Sequence, residues 1–134
     1  MRRGSNYRNK QELVFMNKMD EAIKLLQLSL GELNKDPDNK VIMAGVIKAF
    51  EISFEYIWKA FKKLGTEVGN EVYNPRDAIK AASEMGLISD FDTWKEFLNS
   101  RNLSVHDYLG VADKELLELA KSFLKEVKKI KWPV

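Results

Sequence analysis

Three long stretches of this sequence repeat apolar residues at spacings of three and four, and this periodicity restricts the fold more than any other feature. The first stretch covers residues 12–34, the second 42–64 and the third 113–130. Their recurring apolar positions are Phe15, Met19, Ala22, Ile23, Leu26, Leu30 and Leu33; Ile42, Val46, Phe50, Ile57, Phe61 and Leu64; and Leu116, Ala120, Phe123, Val127 and Ile130. Because an α-helix has 3.6 residues per turn, each set lies on one helical face. Each stretch is therefore predicted to be an amphipathic helix.

Turn and capping residues separate these stretches and divide the section between the second and the third. Proline and Asx residues predict a turn over 35–39, and two glycines with two asparagines predict a loop over 65–74. Asn74-Pro75 is typical of a helix start, Gly86 of a helix end, and residues 89–92 offer caps for a further helix. The predicted fold is all-α, an antiparallel up-and-down four-helix bundle with an additional short helix because the third section is broken.

Length and hydropathy predict a single domain that does not associate with a membrane. A chain of 134 residues with 45% hydrophobic content supports a single core, so we expect one bundle domain over 12–134 after a flexible N-terminus at 1–11. No apolar run approaches the roughly 18 residues that a bilayer requires. Arg2 and Arg3 are not followed by the apolar region of a secretory signal. We therefore expect a cytoplasmic protein with no membrane association.

The inventory of reactive side chains excludes most catalytic classes. The chain has no cysteine and one histidine, so thiol nucleophiles, disulfides and multi-histidine metal sites are excluded. We predict neither a metal nor a cofactor. The net charge of +2 is too small to indicate nucleic-acid binding from the overall field.

The segment from Arg101 to Tyr108 carries the residues most suited to chemistry. Arg101 and His106 are five residues apart, about 140° around an uninterrupted helix, so a shared site requires a break. Asn102 disfavours a helix interior and Ser104 begins a weak capping box, which predicts a break between them. An arginine with a histidine suits a phosphodiester, since guanidinium binds phosphate and imidazole exchanges protons near neutral pH. Spacing alone favours the alternative, in which these side chains satisfy hydrogen bonds and Arg101 pairs with an aspartate.

The same segment resembles a family motif. Arg101-Asn102-x3-His106-x-Tyr108 is similar to the Arg-x4-His-x-Tyr motif of HepT-like proteins, a branch of the HEPN superfamily that has a polar residue after the arginine. Flanking blocks resemble the nucleotidyltransferase substrate-binding proteins over residues 12–131. These blocks are Phe50-Glu51, Glu55, Trp58-Lys59, Asn74-Pro75-Arg76, Gly86-Leu87-Ile88 and Trp94.

The resemblance implies a function that spacing does not. It implies a helical homodimer with two motifs facing each other across a cleft, encoded beside a small MNT-type nucleotidyltransferase. In such pairs the HEPN member resembles a toxin, a metal-independent endoribonuclease with Arg101 and His106 as its catalytic residues, assisted by Asn102. The nucleotidyltransferase resembles the antitoxin and would adenylylate Tyr108. A non-catalytic substrate-binding or regulatory subunit of the nucleotidyltransferase is the alternative, and a plain dimerisation module is a third.

Four other residues, two glutamates and two tryptophans, could have a structural or a functional role. Glu55 is either an accessory residue that orients Arg101 or His106, or the partner of Lys59 in a surface ion pair. Glu51 is expected to face solvent. Trp58 and Trp94 are interpreted as core or interface residues rather than as platforms for a base.

Overall fold

The computed structural model of the chain describes residues 10–107 and 113–133, with side chains except at 103–107, 113, 114 and 116. The described residues contain five helices and no strand: α1 (Lys10–Lys35), α2 (Lys40–Glu67), α3 (Pro75–Glu84), α4 (Phe91–Asp107) and α5 (Asp113–Lys128). The predicted all-α fold with a broken third section is confirmed. The predicted flexible N-terminus lies largely outside the described residues, and α1 already includes positions 10 and 11.

Helix α2 is the centre of the bundle because it packs against each of the other four helices. It is the most hydrophobic element, and its buried residues recur along nearly its whole length. They include Met43, Val46, Ile47, Phe50, Phe54, Ile57 and Phe61. None of the helices over the described residues is both long and apolar enough to cross a bilayer.

An aromatic cluster joins α2, α4 and α5. The Phe123 ring of α5 contacts Phe50 at a centroid distance of 5.0 Å and Phe97 at 5.3 Å, both edge to face. Trp94 lies 5.9 Å from Phe123 and is 1% exposed, so its interpretation as a core residue is confirmed. Such pairs contribute about 0.5–1.5 kcal/mol each beyond the burial of their area. The cluster therefore fixes α4, which carries Arg101, against α2.

The predicted helix starts are confirmed by their caps. Asn39 Oδ1 accepts hydrogen bonds from the first turn of α2, and Asn74 Oδ1 accepts one from Asp77 N at 2.8 Å. Asp90 Oδ1 accepts one from Thr93 N at 3.2 Å at the start of α4. Gly86 has a φ of +75°, which only glycine adopts without strain, and it ends the α3 segment as predicted.

The predicted loop begins too early, because Gly65 lies inside α2. A Cβ atom at this position would lie 3.0 Å from Ala81 Cβ and 3.2 Å from Val72 Cγ2. The glycine therefore serves the close approach of α3 to α2 rather than a turn, and the helix continues to Glu67.

The predicted break within the motif is wrong, since α4 runs without interruption from Phe91 to Asp107. Asn and Ser are poorer helix formers than Ala by only about 0.5–0.7 kcal/mol each, which is a weak preference against continued backbone hydrogen bonding. The capping-box spacing that begins at Ser104 therefore lies inside a helix and starts none.

Candidate functional site

Arg101 connects α4 to the central helix. Its Nη2 atom donates a hydrogen bond to Glu55 Oε2 at 2.9 Å, and its Nη1 atom donates to Asn102 Oδ1 at 3.0 Å. The Arg101 side chain is 27% exposed and that of Glu55 is 35% exposed. A charge-assisted bond between two half-buried groups orients the guanidinium, and part of the Arg101 side chain stays exposed.

Glu55 has two further donors on its own helix. Trp58 Nε1 donates to the same Oε2 atom at 3.1 Å, and Lys59 Nζ lies 3.5 Å from Oε1. Residues three and four positions apart share a helical face, which places both donors beside the carboxylate. Both interpretations of Glu55 therefore describe real contacts, because it binds Arg101 and Lys59 together.

The surroundings of Glu55 favour its charged form. Burial of the carboxyl raises its pKa, but the hydrogen bond from Trp58 and the positive charges of Arg101 and Lys59 outweigh that effect. The pKa of Glu55 lies below the ordinary value for a glutamate. Glu55 is accordingly a carboxylate at neutral pH and holds Arg101 through a full ion pair.

The other motif residues are only partly described. Position 106 lies in the last turn of α4, but the His106 side chain is outside the described set, and Tyr108 is outside the described residues. On a continuous helix, positions 101 and 106 are about 140° apart around the axis. The bend that was predicted to bring them together within one chain is therefore missing from α4.

Sequence reasoning missed the contribution of Trp58. Its indole was weighed as a core residue or a stacking platform, whereas its N–H group is bonded to Glu55. The signal was the spacing of three between Glu55 and Trp58, which makes the two side chains neighbours on a helix. Within the parts of the chain that the structure describes, no group of three or more His, Asp or Glu side chains has the arrangement of a metal site.

A helical bundle in which the arginine of an Arg-x4-His motif is bonded to the central helix fits the HEPN resemblance of the sequence. The family model described as nucleotidyltransferase substrate binding protein like matches residues 15–132. The chain therefore belongs to that family, a HepT-like branch of HEPN proteins, and the resemblance seen in the sequence is confirmed.

One solved structure has a fold similar to that of this chain over nearly the whole length of both proteins. It is a tri-AMPylated HEPN toxin from Shewanella oneidensis in complex with an MNT antitoxin, at 18% identity and a TM-score of 0.68. The alignment covers 90% of this chain and 98% of that one. At this identity the similarity concerns the fold. A comparison with curated protein sequences finds no match.

Proposed function

We propose that this chain is the HEPN toxin of a two-component toxin–antitoxin pair, and that it cleaves RNA without a metal. The observation that carries the proposal is the Arg101 guanidinium, which Glu55 fixes at 2.9 Å while 27% of the side chain stays exposed. Family membership supports it, and so does the similar fold of a HEPN toxin that was solved with an MNT antitoxin. The partner would be a small MNT-type nucleotidyltransferase.

The proposed reaction is a transfer within the RNA strand. The ribose 2′-oxygen forms a bond to phosphorus while the bond to the 5′-oxygen of the next nucleotide breaks, leaving a 2′,3′-cyclic phosphate and a 5′-hydroxyl. His106 would accept the 2′-hydroxyl proton or donate one to the leaving 5′-oxygen, and water would make the other proton transfer. Arg101 would stabilise the negative charge that develops on the phosphoryl oxygens. Asn102 and Glu55 would act as accessory residues that orient the guanidinium.

The uninterrupted α4 favours a site to which two chains contribute. Positions 101 and 106 point to different sides of one helix, so Arg101 of one protomer would work with His106 of its partner. A two-fold homodimer provides this arrangement twice, because each chain supplies both residues to the shared interface.

The same site offers a mode of inhibition. An adenylyl group on Tyr108 would place a negative phosphate within the motif. That phosphate would compete with RNA for Arg101 and occupy the cleft, in the way that other charge-adding modifications block a site.

Incubation of the purified protein with total RNA and tRNA in EDTA tests the nuclease. We expect the parent to cleave, the Arg101→Ala and His106→Ala variants to be inactive, and the Arg101→Lys variant to be strongly reduced because it lacks the planar fork. Lys35→Ala, an exposed cation on α1, is the control and is expected to cleave like the parent. Cleavage that survives in His106→Ala would refute the assigned chemistry.

Subunit mixing tests whether the site is shared between chains. Arg101→Ala and His106→Ala chains are unfolded together, refolded at equal amounts and assayed. If each site takes Arg101 from one chain and His106 from the other, half of the dimers regain one site of two, or about a quarter of the parent activity. A mixture as inactive as its components would show that each chain builds its own site.

The unbroken helix also favours a second candidate, a non-catalytic subunit that presents substrate to a nucleotidyltransferase or regulates it. In that case Arg101 would bind an anion without any need for His106 nearby. A parent protein that never cleaves RNA but forms a stable complex with the nucleotidyltransferase encoded beside it would support this candidate over the nuclease.

A further inference from the structure

One side of α2 carries a row of charged residues next to Arg101. Counted at 100° per residue, positions 48, 51, 55, 59 and 62 fall within about 80° of one another around the helix axis. Lys48 and Lys62 are exposed, and the Lys59 side chain is 52% exposed. We call Lys48, Lys59 and Lys62 together with Arg101 the basic row.

The basic row carries a net positive charge. Its four cations face two carboxylates on the same side of α2, Glu51 and Glu55, which leaves a net charge of +2. The basic row is therefore one positive surface beside the candidate site, and the lysine-rich residues 125–131 are another.

Lys59 and Arg101 are held close together by one carboxylate. Lys59 Nζ lies 3.5 Å from Glu55 Oε1, and Arg101 Nη2 lies 2.9 Å from Glu55 Oε2. Glu55 therefore holds the two cations side by side on α2, and Trp58 donates to the same Oε2 atom. By contrast, Lys63 lies on the neighbouring side of α2 and pairs with Glu12 of α1, so it does not add to the row.

The length of the basic row suits an extended polyanion. Lys48 and Lys62 are 14 residues apart in sequence, which corresponds to about 21 Å along the helix axis. The lysines form a single line with the half-buried indole of Trp58 beside it, which fits one nucleic-acid strand rather than the two backbones of a duplex. Flexible lysine side chains bind phosphate as point charges and require no particular base.

We propose that the basic row binds the sugar–phosphate backbone of unpaired RNA on either side of Arg101. This inference rests on the proposed function, and it assigns to Lys59 and Lys62 a binding role that is separate from the chemistry of the motif. Affinity would then be largely independent of sequence and would fall steeply with salt, because each neutralised phosphate releases counterions.

The test is the salt dependence of binding by the full chain. A fluorescent 2′-O-methyl oligouridine lacks the nucleophilic hydroxyl and cannot be cleaved by the proposed reaction, so its anisotropy reports binding alone. Lys59→Gln and Lys62→Gln are each expected to reduce the slope of log K against log salt by about 0.7, the value for one phosphate contact on a single strand. Between 50 and 200 mM salt, each variant would lose affinity about 2.6-fold less than the parent.

Lys35→Gln is the matched control, because Lys35 pairs with Glu32 one turn away on α1 at 3.4 Å, much as Lys59 pairs with Glu55. We expect its slope to equal that of the parent. Circular dichroism on all variants checks that the bundle is intact.

The outcomes separate this inference from the nuclease proposal. Unchanged slopes in both lysine variants, with a parent that cleaves RNA, would overturn the basic row and leave the nuclease intact. Reduced slopes with a parent that never cleaves would support the row and remove the nuclease. If poly-glutamate displaces the oligouridine as well as unlabelled single-stranded RNA does, the row binds acidic polypeptides and the inference is wrong.

Discussion

The ion pair between Glu55 and Arg101 should couple α2 and α4 measurably, and a double-mutant cycle can determine by how much. The cycle uses Glu55→Gln, Arg101→Met and the combined variant, which remove the charges; Gln keeps the shape of Glu, and Met keeps most of the apolar stem of Arg. Two unit charges about 4 Å apart attract by about 4 kcal/mol at the effective dielectric constant of 20 near a protein surface. Desolvation and the remaining exposure of 27% and 35% offset most of this attraction.

We therefore expect a coupling free energy of about 1–1.5 kcal/mol, above a surface pair and below a buried one. Urea unfolding followed by circular dichroism gives the four free energies. The control cycle uses the pair of Lys35 and Glu32, whose side chains are 77% and 61% exposed and whose coupling should not exceed a few tenths of a kcal/mol. A Glu55–Arg101 coupling no larger than that of the control pair would refute the argument that this contact fixes the guanidinium.

Three further predictions concern residues of α2. Gly65→Ala should lower the free energy of unfolding by about 1 kcal/mol, because crowding of the new Cβ costs about 1–3 kcal/mol and the gain in helix propensity is only about 1 kcal/mol. Gly45→Ala should raise the free energy of unfolding, because a Cβ at position 45 meets open space. Urea midpoints would contradict this if both variants shifted in the same direction. The stability that Glu55 contributes should be complete above its ordinary pKa near 4.3 and lost as pH falls through its lower folded pKa, so the parent and Glu55→Gln should converge in acid. Trp58→Phe should raise the pKa of Glu55 in an NMR titration, and an unchanged pKa would mean that the indole bond does not stabilise the carboxylate.

The helices and their ends could be predicted because local chemistry determines them. Asn39 and Asn74 cap α2 and α3 through their own side chains, and the glycine at 86 supplies the positive φ that ends the α3 segment. The core was equally accessible to prediction, since residues that recur every three or four positions must lie on one face. None of these features requires knowledge of a distant part of the chain.

The features that sequence reasoning got wrong or left undecided depend on contacts between distant residues. Gly65 looked like a turn residue, and only the approach of Ala81 from α3 explains its place inside a helix. Glu55 and Arg101 are 46 positions apart, so no spacing rule distinguishes this pairing from the local one with Lys59. Both pairings occur because Arg101 and Lys59 each take one of the two oxygens of a single carboxylate.

The continuity of α4 changes what the motif requires. A break near Asn102 was predicted because an arginine and a histidine five residues apart cannot converge on a straight helix, and that geometric argument still holds. The prediction was wrong in requiring a break in the helix, because α4 is continuous there. In the proposed function, α4 keeps the two positions about 140° apart through Asp107, so a second chain would supply the histidine that works with Arg101. A two-fold dimer supplies that chain without a further gene product, so a loss of dimerisation should abolish catalysis even where Arg101 and Glu55 stay paired.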